Sequence, residues 1–433
     1  MVSSGLTIPF SFEQGVEVDE LERFAFWDSP DVVKWFKDHG YTLYKRSVYS
    51  GEELATFPIF PPDPQSGPVE ADFPYAHHDM DTTDLPEVYQ TDPPLSGVDT
   101  SGKILYAQDS LKRHVVIKLV PDNTDEYRVL RFLSEQSMDT LKENCVIPVL
   151  DLLPIEGFWL AVMPRWGIGI YQPNPRYVYE IVDIIYSRLK SLAYLHDNNI
   201  SHGDIRDANV VVNHFADSRL PPRGYHRRSK LRTERRLLYA LIDFDFSVML
   251  APDADRTKFR LPYQRFLGTN NVSNDTAAGE HDYSPFVGDV GALGVSLCFE
   301  YQCRTKYLPV LAPLLDMMTT WDLKRRFTAA EALKFFEQSL SEMTQKELEV
   351  EISGSIHYEN YSTYNRWRQM PPALMEKWKV YRTPPIPWHL KTLRAIYGHS
   401  AQYNLHIIPQ TRRFVAGVMS MVFKLYCKLQ FRS

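Results

Sequence analysis

The chain has few cysteines and no strong excess of charge, and these absences narrow the classes of protein it can represent. Four cysteines occur in 433 residues, without a C-x-x-C pair. We expect buried free thiols, including Cys298 and Cys303, and a reducing intracellular compartment, cytoplasmic or nuclear. The net charge of -6 provides no overall attraction to nucleic acid or to an anionic membrane.

Long apolar runs are also missing. The N-terminus lacks a charged segment followed by an apolar one, so we expect no secretory signal. The uncharged stretch at residues 414–423 is too short to cross a bilayer, so we expect no integral membrane protein. No internal repeat is visible.

What is present is a globular composition, with 44% apolar and 13% aromatic residues. A chain of this length predicts two packed units with extensions. Strand patterns at 104–107, 114–120, 146–153 and 158–163 enclose one helix pattern at 125–133. Apolar residues at helical spacing then predict further helices at 181–195, 289–301, 308–318 and 328–340. The fold class is therefore α+β.

Two segments before the first strands have a character of their own. Ser29-Pro30 predicts the start of a short amphipathic helix. Residues 57–94 are rich in proline and acidic residues, which suits an extended wrap over a neighbouring surface or a linker.

The most informative pattern is His202-Gly203-Asp204, followed by Asn209 and by Asp243 behind the apolar run Ala240-Leu241-Ile242. An aspartate, an asparagine five residues later and a second aspartate after a strand supply oxygen ligands. Such ligands can aim a hydroxyl group at a magnesium-bound triphosphate.

This spacing resembles the H-R-D-x-x-x-x-N and D-F-G motifs of the eukaryotic protein kinases, especially the divergent kinase-like proteins of mushroom-forming fungi. The resemblance implies a bilobal fold with a small β-rich N-lobe at 91–166 and a large helical C-lobe at 167–340. Residues 1–90 and 341–433 are then extensions. It also implies ATP-dependent transfer of the γ-phosphoryl group to protein hydroxyls, of the serine/threonine type, with Mg2+; the protein substrate and the oligomeric state remain open.

The same resemblance assigns catalytic roles. Asp204 would be the catalytic base and Arg206 a clamp on the γ-phosphate, while Asn209 and Asp243 would bind magnesium. Lys118, after the run Val115-Val116-Ile117, would contact the α- and β-phosphates. Glu126 would hold this lysine in place, with Glu135 as the alternative partner.

Nucleotide contacts are assigned in the same way. Gly97 and Gly102 would be the first and third glycines of the phosphate-binding loop, but Asp99 replaces the middle one and would repel phosphate. An ordinary turn is the alternative for this loop. With Met163 as gatekeeper, the Pro164 C=O and the Trp166 N–H would bind adenine.

Two residues depart from the family pattern. Gly203 replaces the arginine that clamps a phosphorylated activation loop, so control by loop phosphorylation is not expected. Asp245 replaces the glycine of D-F-G and would restrict switching of this segment. An alternative frame takes Asp245-Phe246-Ser247 as the motif, but the preceding Leu241-Ile242 favours Asp243.

Downstream motifs extend the resemblance to about residue 340. Ala278-Gly279-Glu280 is similar to A-P-E, and Arg326 stands in a motif similar to D-P-x-x-R-x-T-A. In the family, Glu280 and Arg326 would form a buried ion pair, and Asp289 would anchor the catalytic loop.

Three further segments admit a functional and a plain interpretation. The basic run at 219–236 could dock an acidic partner or nucleic acid, but we interpret it as a solvated flexible insertion. His77-His78-Asp79 could bind metal, but we predict an exposed polar loop. Residues 412–428 could form a membrane-surface helix, with packing on the large lobe as the default.

Two alternatives to a protein kinase stay open. A pseudokinase scaffold fits the departures at Asp99, Gly203 and Asp245. A small-molecule kinase fits the H-G-D form of the catalytic loop, but the Glu280, Asp289 and Arg326 set argues against it.

Overall fold

The computed structural model describes residues 5–10, 20–48, 54–61, 69–78, 95–99, 101–216, 226–268, 273–353, 360–402, 408–415 and 418. The described chain mixes helices and strands, as predicted. The strands are β1 Thr42–Leu43, β2 Lys45–Val48, β3 Leu54–Phe57, β4 His77–His78, β5 Ile104–Gln108, β6 His114–Pro121, β7 Asp151–Ile155, β8 Phe158–Pro164, β9 Ile200–Ser201, β10 Val210–Val212, β11 His214–Phe215, β12 Tyr239–Leu241, β13 Val248–Met249, β14 Leu261–Pro262 and β15 Asp282–Tyr283. The helices are α1 Glu20–Trp27, α2 Pro30–Asp38, α3 Asp125–Ser134, α4 Met138–Glu143, α5 Val178–Asp197, α6 His226–Thr233, α7 Pro285–Tyr301, α8 Leu311–Thr319, α9 Ala329–Ser341, α10 Gln345–Leu348, α11 Pro372–Trp378 and α12 Trp388–Gln402.

The chain divides into two compact units. The first comprises residues 1–191 and 207–249, and the second comprises residues 192–206 and 250–433. Among the helices of the described segments, none is both long and apolar enough to cross a membrane.

A five-stranded antiparallel sheet organises the first unit, in the order β1-β5-β6-β8-β7. The predicted pairing of the first two strand patterns is confirmed, with Tyr106 opposite Val116. Along β6, Val115, Ile117 and Leu119 belong to a hydrophobic core on one face of the sheet. Because side chains alternate along a strand, Lys118 points to the other face.

The N-terminal helices cover the apolar face of this sheet. Trp27, Val32 and Phe36 join the same core as the β6 residues. The predicted helix after Ser29-Pro30 is confirmed as α2, with proline in the first turn, although the Ser29 side chain makes no capping hydrogen bond.

One predicted strand begins later than its apolar pattern. The run at 146–153 forms a strand only from Asp151, as β7. Pro148 lies inside the run and has no N–H to give to a ladder, so the early part cannot pair on both sides. Val146 instead makes an isolated bridge to Leu241.

The predicted helix at 125–133 is confirmed as α3. The Thr124 hydroxyl accepts a hydrogen bond from the Tyr127 N–H at 3.2 Å and caps the helix. Val129, Leu130 and Leu133 are buried on one face, as predicted. This helix packs against β6 and β7, on the side of the sheet that Lys118 faces.

The prediction of a solvated flexible insertion at 219–236 is wrong for its described part. Residues 226–233 form α6, in which Arg228 and Arg232 are buried. Arg228 donates to the carbonyls of Ile168, Gly169 and His214 at 2.8–3.0 Å. Its charge satisfies main-chain acceptors of the first unit, so these arginines are structural. Residues 219–225 lie outside the described chain.

The prediction of an exposed loop at His77-His78 is also wrong. These residues form β4, which pairs in parallel with β11. His77 is buried, and the His78 ring stacks on Phe215 with centroids 5.3 Å apart. The backbone ladder and the aromatic contact explain the burial; Asp79 lies outside the described residues.

The second unit is mainly helical. The predicted helix patterns at 289–301, 308–318 and 328–340 are confirmed as α7, α8 and α9. Thr328 and Glu331 form a capping box at the start of α9. In α8, the buried Asp316 accepts hydrogen bonds from Arg366 at 2.8 Å and from the Trp367 indole at 2.9 Å. These bonds attach the segment around residue 366 to α8.

The thiols of Cys145, Cys298 and Cys303 are free, as predicted, although only Cys298 is fully buried. Cys427 and most of the segment 412–428 lie outside the described residues, so the interpretation of that segment stays a prediction.

Candidate functional site

Lys118 is the centre of a charged cluster in the first unit. Its Nζ lies 2.5 Å from Glu126 Oε1, 2.7 Å from Asp243 Oδ1 and 2.6 Å from Asp245 Oδ1. The lysine and Glu126 are buried, whereas the side chains of Asp243 and Asp245 are 34% and 36% exposed. One ammonium therefore faces three carboxylates, two of which are open to solvent.

The partner of Lys118 on α3 is Glu126, as the family resemblance implies. Glu126 stands in the first turn of the helix, directly over the β6 lysine. The alternative, Glu135, is exposed at the other end of α3 and pairs with Arg131 at 3.3 Å. The structure therefore pairs Lys118 with Glu126.

Asp243 and Asp245 follow β12 in a tight turn. Asp243 has φ of 70°, in the left-handed region that aspartate tolerates better than most residues. Phe244 between them is almost completely buried. The side chains on either side of the buried Phe244 point the other way, so both carboxylates reach Lys118. The first aspartate of each possible D-F-G alignment, Asp243 or Asp245, is therefore part of the cluster.

Electrostatics in the cluster favour one shared proton. Burial raises the pKa of Glu126 to about 8, and its hydrogen bond with Asp245 acts in the same direction. The pKa of Asp245 is lowered to about 2, because that hydrogen bond and the Lys118 charge outweigh its burial. Burial alone would lower the pKa of Lys118, but the three carboxylates raise it, so the lysine stays charged.

Asn209 lies beside the same turn. It ends a short 3-10 helix at Asp207–Asn209, and its carbonyl accepts the Ile242 N–H at 3.0 Å. The β10–β12 ladder, with Val210 opposite Leu241, continues from this contact. Asn209 and Asp243 are therefore at the same end of one two-stranded ladder.

In the predicted phosphate-binding loop, the Asp99 side chain accepts hydrogen bonds from the loop's own backbone. The Asp99 carboxylate accepts the Ser101 N–H at 3.2 Å and the Gly102 N–H at 2.6 Å. Gly102 has φ of 67°, and a side chain at Gly97 would meet the Tyr106 ring at 2.4 Å. Local geometry therefore accounts for both glycines.

The N-terminal extension also holds this loop. The Trp27 indole donates to the Gly102 carbonyl at 2.9 Å, and Arg23 donates to the Ser101 carbonyl. On the other side, Gly97 and Thr56 exchange two backbone hydrogen bonds of 2.8 Å. Sequence patterns did not predict these contacts, because they join segments more than 40 residues apart.

The predicted hinge follows β8. Arg165 N–H donates to the His114 carbonyl at 3.0 Å, so the neighbouring pair of Val115 and Pro164 falls at a non-hydrogen-bonded position. The missing proline N–H is therefore harmless there. The Trp166 indole donates to the Pro74 carbonyl at 2.8 Å. The roles of Pro164 and Trp166 toward adenine stay predictions.

The motif around Asp204 belongs to the second unit and is anchored by Asp289. The Asp289 carboxylate accepts the His202 N–H at 2.7 Å and the Gly203 N–H at 2.9 Å, as the family resemblance implies. His196 Nε2 lies 3.1 Å from the same carboxylate. Gly203 has φ of 80°, which strains any residue with a side chain. Backbone geometry thus explains this departure from the family pattern.

Asp204 is buried at the end of this anchored turn. Its Oδ2 lies 3.1 Å from Arg206 Nε, and its N–H donates to His202 Nδ1 at 3.3 Å. Arg206 is therefore engaged with Asp204 itself, and its role as a γ-phosphate clamp stays a prediction.

The expected ion pair between Glu280 and Arg326 is wrong. The buried partner of Arg326 is Asp275, whose Oδ2 lies 2.6 Å from Nη1. Glu280 instead accepts the Ala278 N–H at 3.0 Å and lies 3.5 Å from Arg412. Asp275, on a short 3-10 helix, supplies the charge five residues earlier than the motif suggests.

The sequence patterns do not predict the contacts of three residues in these clusters. The favoured frame gives Asp245 a role in mobility alone, but it contacts Lys118 directly. Asp275 has no motif of its own. Arg165, beside the hinge, is buried and donates to the carbonyls of Leu95 and Ser96 at 2.7 Å.

No known protein-family model matches the sequence, and a comparison with curated proteins likewise finds no match. The functional interpretation therefore depends on the residues and contacts described above.

Proposed function

We propose that the protein is an ATP-dependent protein kinase of the serine/threonine type, with a kinase-like bilobal fold. The observation that carries the proposal is the buried pair of Lys118 and Glu126, 2.5 Å apart, with Asp243 at 2.7 Å from the same ammonium. A strand lysine paired with a helix glutamate, and an aspartate after a strand, form the set that protein kinases use to position ATP and its metal.

The acidic side chains fit magnesium. Oxygen atoms of Glu126, Asp243 and Asp245 lie within 4.8 Å of one another. Magnesium prefers carboxylate oxygens and keeps several waters, which the exposed sides of Asp243 and Asp245 accommodate. Asp243 and Asn209 would hold the ion. When bound, the ion would neutralise negative charge on the β- and γ-phosphates.

The chain's own groups have separate tasks in this proposal. Lys118 binds and orients the α- and β-phosphates, and Glu126 keeps its ammonium in place. Asp204 accepts the proton of the protein hydroxyl, a role assigned from its position five residues before Asn209. The hydrogen bonds from Asp289 fix the turn that carries Asp204.

A second candidate, a pseudokinase scaffold, is favoured by one observation. The Asp99 carboxylate takes the Ser101 and Gly102 N–H groups that a phosphate would otherwise use. A nucleotide must displace this internal anion or bind without these donors. Binding without turnover would identify this second function.

A phosphoryl-transfer assay tests the proposal. The purified full chain is incubated with γ-labelled ATP, Mg2+ and a mixture of proteins, beside Lys118→Met and Asp204→Asn. We expect label on serine or threonine with the native chain, and a loss of at least about 100-fold in each variant.

Matched controls are available on α2. Lys34 and Asp38 form an exposed pair, so Lys34→Met and Asp38→Asn repeat the chemical changes away from the cluster. Both controls should retain the native rate. Transfer that never appears, or that survives both Lys118→Met and Asp204→Asn, would refute a phosphotransferase.

A further inference from the structure

Three carboxylates surround the Lys118 ammonium in the described structure, and two of them, Asp243 and Asp245, accept hydrogen bonds from it at 2.7 and 2.6 Å. An ammonium group has three N–H donors. Three carboxylate oxygens, from Glu126, Asp243 and Asp245, lie within 2.5–2.7 Å of Nζ. Because these three oxygens enclose the ammonium, a phosphate oxygen that binds Lys118 must replace one of the carboxylates.

Glu126 is the least replaceable partner. It is buried, stands in the first turn of α3 and is held by the packing of that helix on β6 and β7. Moving it would leave a buried lysine and a buried carboxyl group to be satisfied elsewhere.

Asp243 and Asp245 differ in how easily each carboxylate can move away from Lys118. Asp243 has the strained left-handed backbone and directly follows the strand β12. Asp245 lies two residues further along the turn, is about as exposed as Asp243 and also has a hydrogen bond with Glu126. Because Asp243 is the carboxylate that would hold magnesium in the proposed function, Asp245 is the aspartate that is free to leave Lys118 when a phosphate binds.

We propose that Asp245 is a positioning residue that competes with the nucleotide phosphates for Lys118. In the absence of nucleotide, the Asp245 carboxylate occupies the position on Lys118 that a phosphate would take. Its negative charge repels the phosphates of a nucleotide that has no bound cation. The site then selects metal-bound over metal-free nucleotide. This inference rests on the proposed kinase function.

Nucleotide binding to an Asp245→Asn variant tests the inference. The affinity of the full chain for ADP is measured at constant ionic strength, once with EDTA and once with Mg2+. Without metal, we expect Asp245→Asn to bind ADP about tenfold more tightly or better, because a like charge near the phosphates is removed. With Mg2+ the gain should be smaller, so the ratio of the two affinities falls.

Two further variants keep the outcome interpretable. Glu135→Gln removes one negative charge from the exposed end of α3, away from Lys118, and should leave both affinities unchanged. Asp245→Gly provides the same test without a polar side chain, in case the asparagine variant does not fold, and circular dichroism checks both.

The outcomes separate the inference from the proposed function. Tighter metal-free binding in Asp245→Asn supports the competition. Equal or weaker metal-free binding overturns it while the kinase proposal stands. Absence of ADP binding in the native chain, with and without Mg2+, overturns both.

Discussion

Two clusters of opposite charges, one in each unit, show how similar chemistry can serve different purposes. In the second unit, Arg326 and Asp275 form a balanced pair, and both side chains are only 1% exposed. Arg326 Nη1 and Nη2 also donate to the carbonyls of Val287 and Thr320 at 3.0 Å. In the first unit, Lys118 faces three carboxylates, and two of them are more than one-third exposed.

The difference separates a structural pair from the binding site that we propose. A buried pair with balanced charges has no excess charge to attract a ligand, and the loss of one partner leaves the other charge buried alone. An open cluster with excess negative charge is incomplete by itself and gains from a bound cation. We therefore assign structure to the first and ligand binding to the second.

The largest expected effect is at the buried pair. Asp275→Asn leaves the Arg326 charge buried without its partner, so we expect the free energy of unfolding to fall by about 3–5 kcal/mol. Denaturant unfolding measures it. Glu342→Gln, in the exposed pair with Lys377, is the control and should change stability far less. A loss at Asp275 no greater than in this control would break the comparison.

A smaller effect is expected from the shared proton of the open cluster. Glu126 has its pKa raised from 4.5 to about 8, so the folded protein keeps a proton that the unfolded chain has released. Stability should therefore fall as pH rises from about 4.5 to about 8. The pKa of Asp245, lowered to about 2, places its titration below this window.

Glu126→Gln cannot release that proton. It should flatten the decline in unfolding free energy across the window by about 1–3 kcal/mol, measured by denaturant titration at several pH values. Glu135→Gln supplies the control on the same helix. A decline that is identical in Glu126→Gln and the native chain would show that Glu126 is ionised throughout.

The smallest effect concerns the loop that Asp99 closes. Asp99→Ala removes the acceptors of the Ser101 N–H, whose hydrogen bond is exposed, and of the Gly102 N–H, whose hydrogen bond is part-buried, so water can replace at least the first. We expect a loss of about 0.5–1.5 kcal/mol in unfolding free energy. A loss above about 3 kcal/mol in unfolding free energy would mean that Asp99 contributes as much to stability as Asp275, and it would contradict the comparison.

Local patterns predicted much of this molecule. The helix at 125–133 is evident from its one apolar face, and the strands at 104–107 and 114–120 are evident from their alternating and β-branched runs. The same patterns placed Lys118 and Glu126 on adjacent elements, and the order of motifs placed Asp243 after a strand. These predictions depend on short-range regularities that a sequence displays directly.

Other features depend on contacts that no short pattern encodes. The Arg326 partner, Asp275, is 51 residues away, and a motif pointed to the wrong acid. The basic run at 219–236 predicts a solvated segment, but Arg228 donates to carbonyl groups about 60 residues earlier in the chain. Asp245 reaches Lys118 across 127 residues. Charge alone does not indicate whether a side chain meets water or a distant partner.

The most direct test of the account compares melting temperatures with and without Mg·ADP in the native chain and in Asp243→Asn. Neutralising one of the excess carboxylates should leave the ligand-free melting temperature unchanged or raise it. Mg·ADP at about 100 times its Kd should stabilise the native chain by about 2.7 kcal/mol and should not stabilise the variant. An equal shift in both proteins, or none in the native chain, would contradict the assignment of the Lys118 cluster to ligand binding.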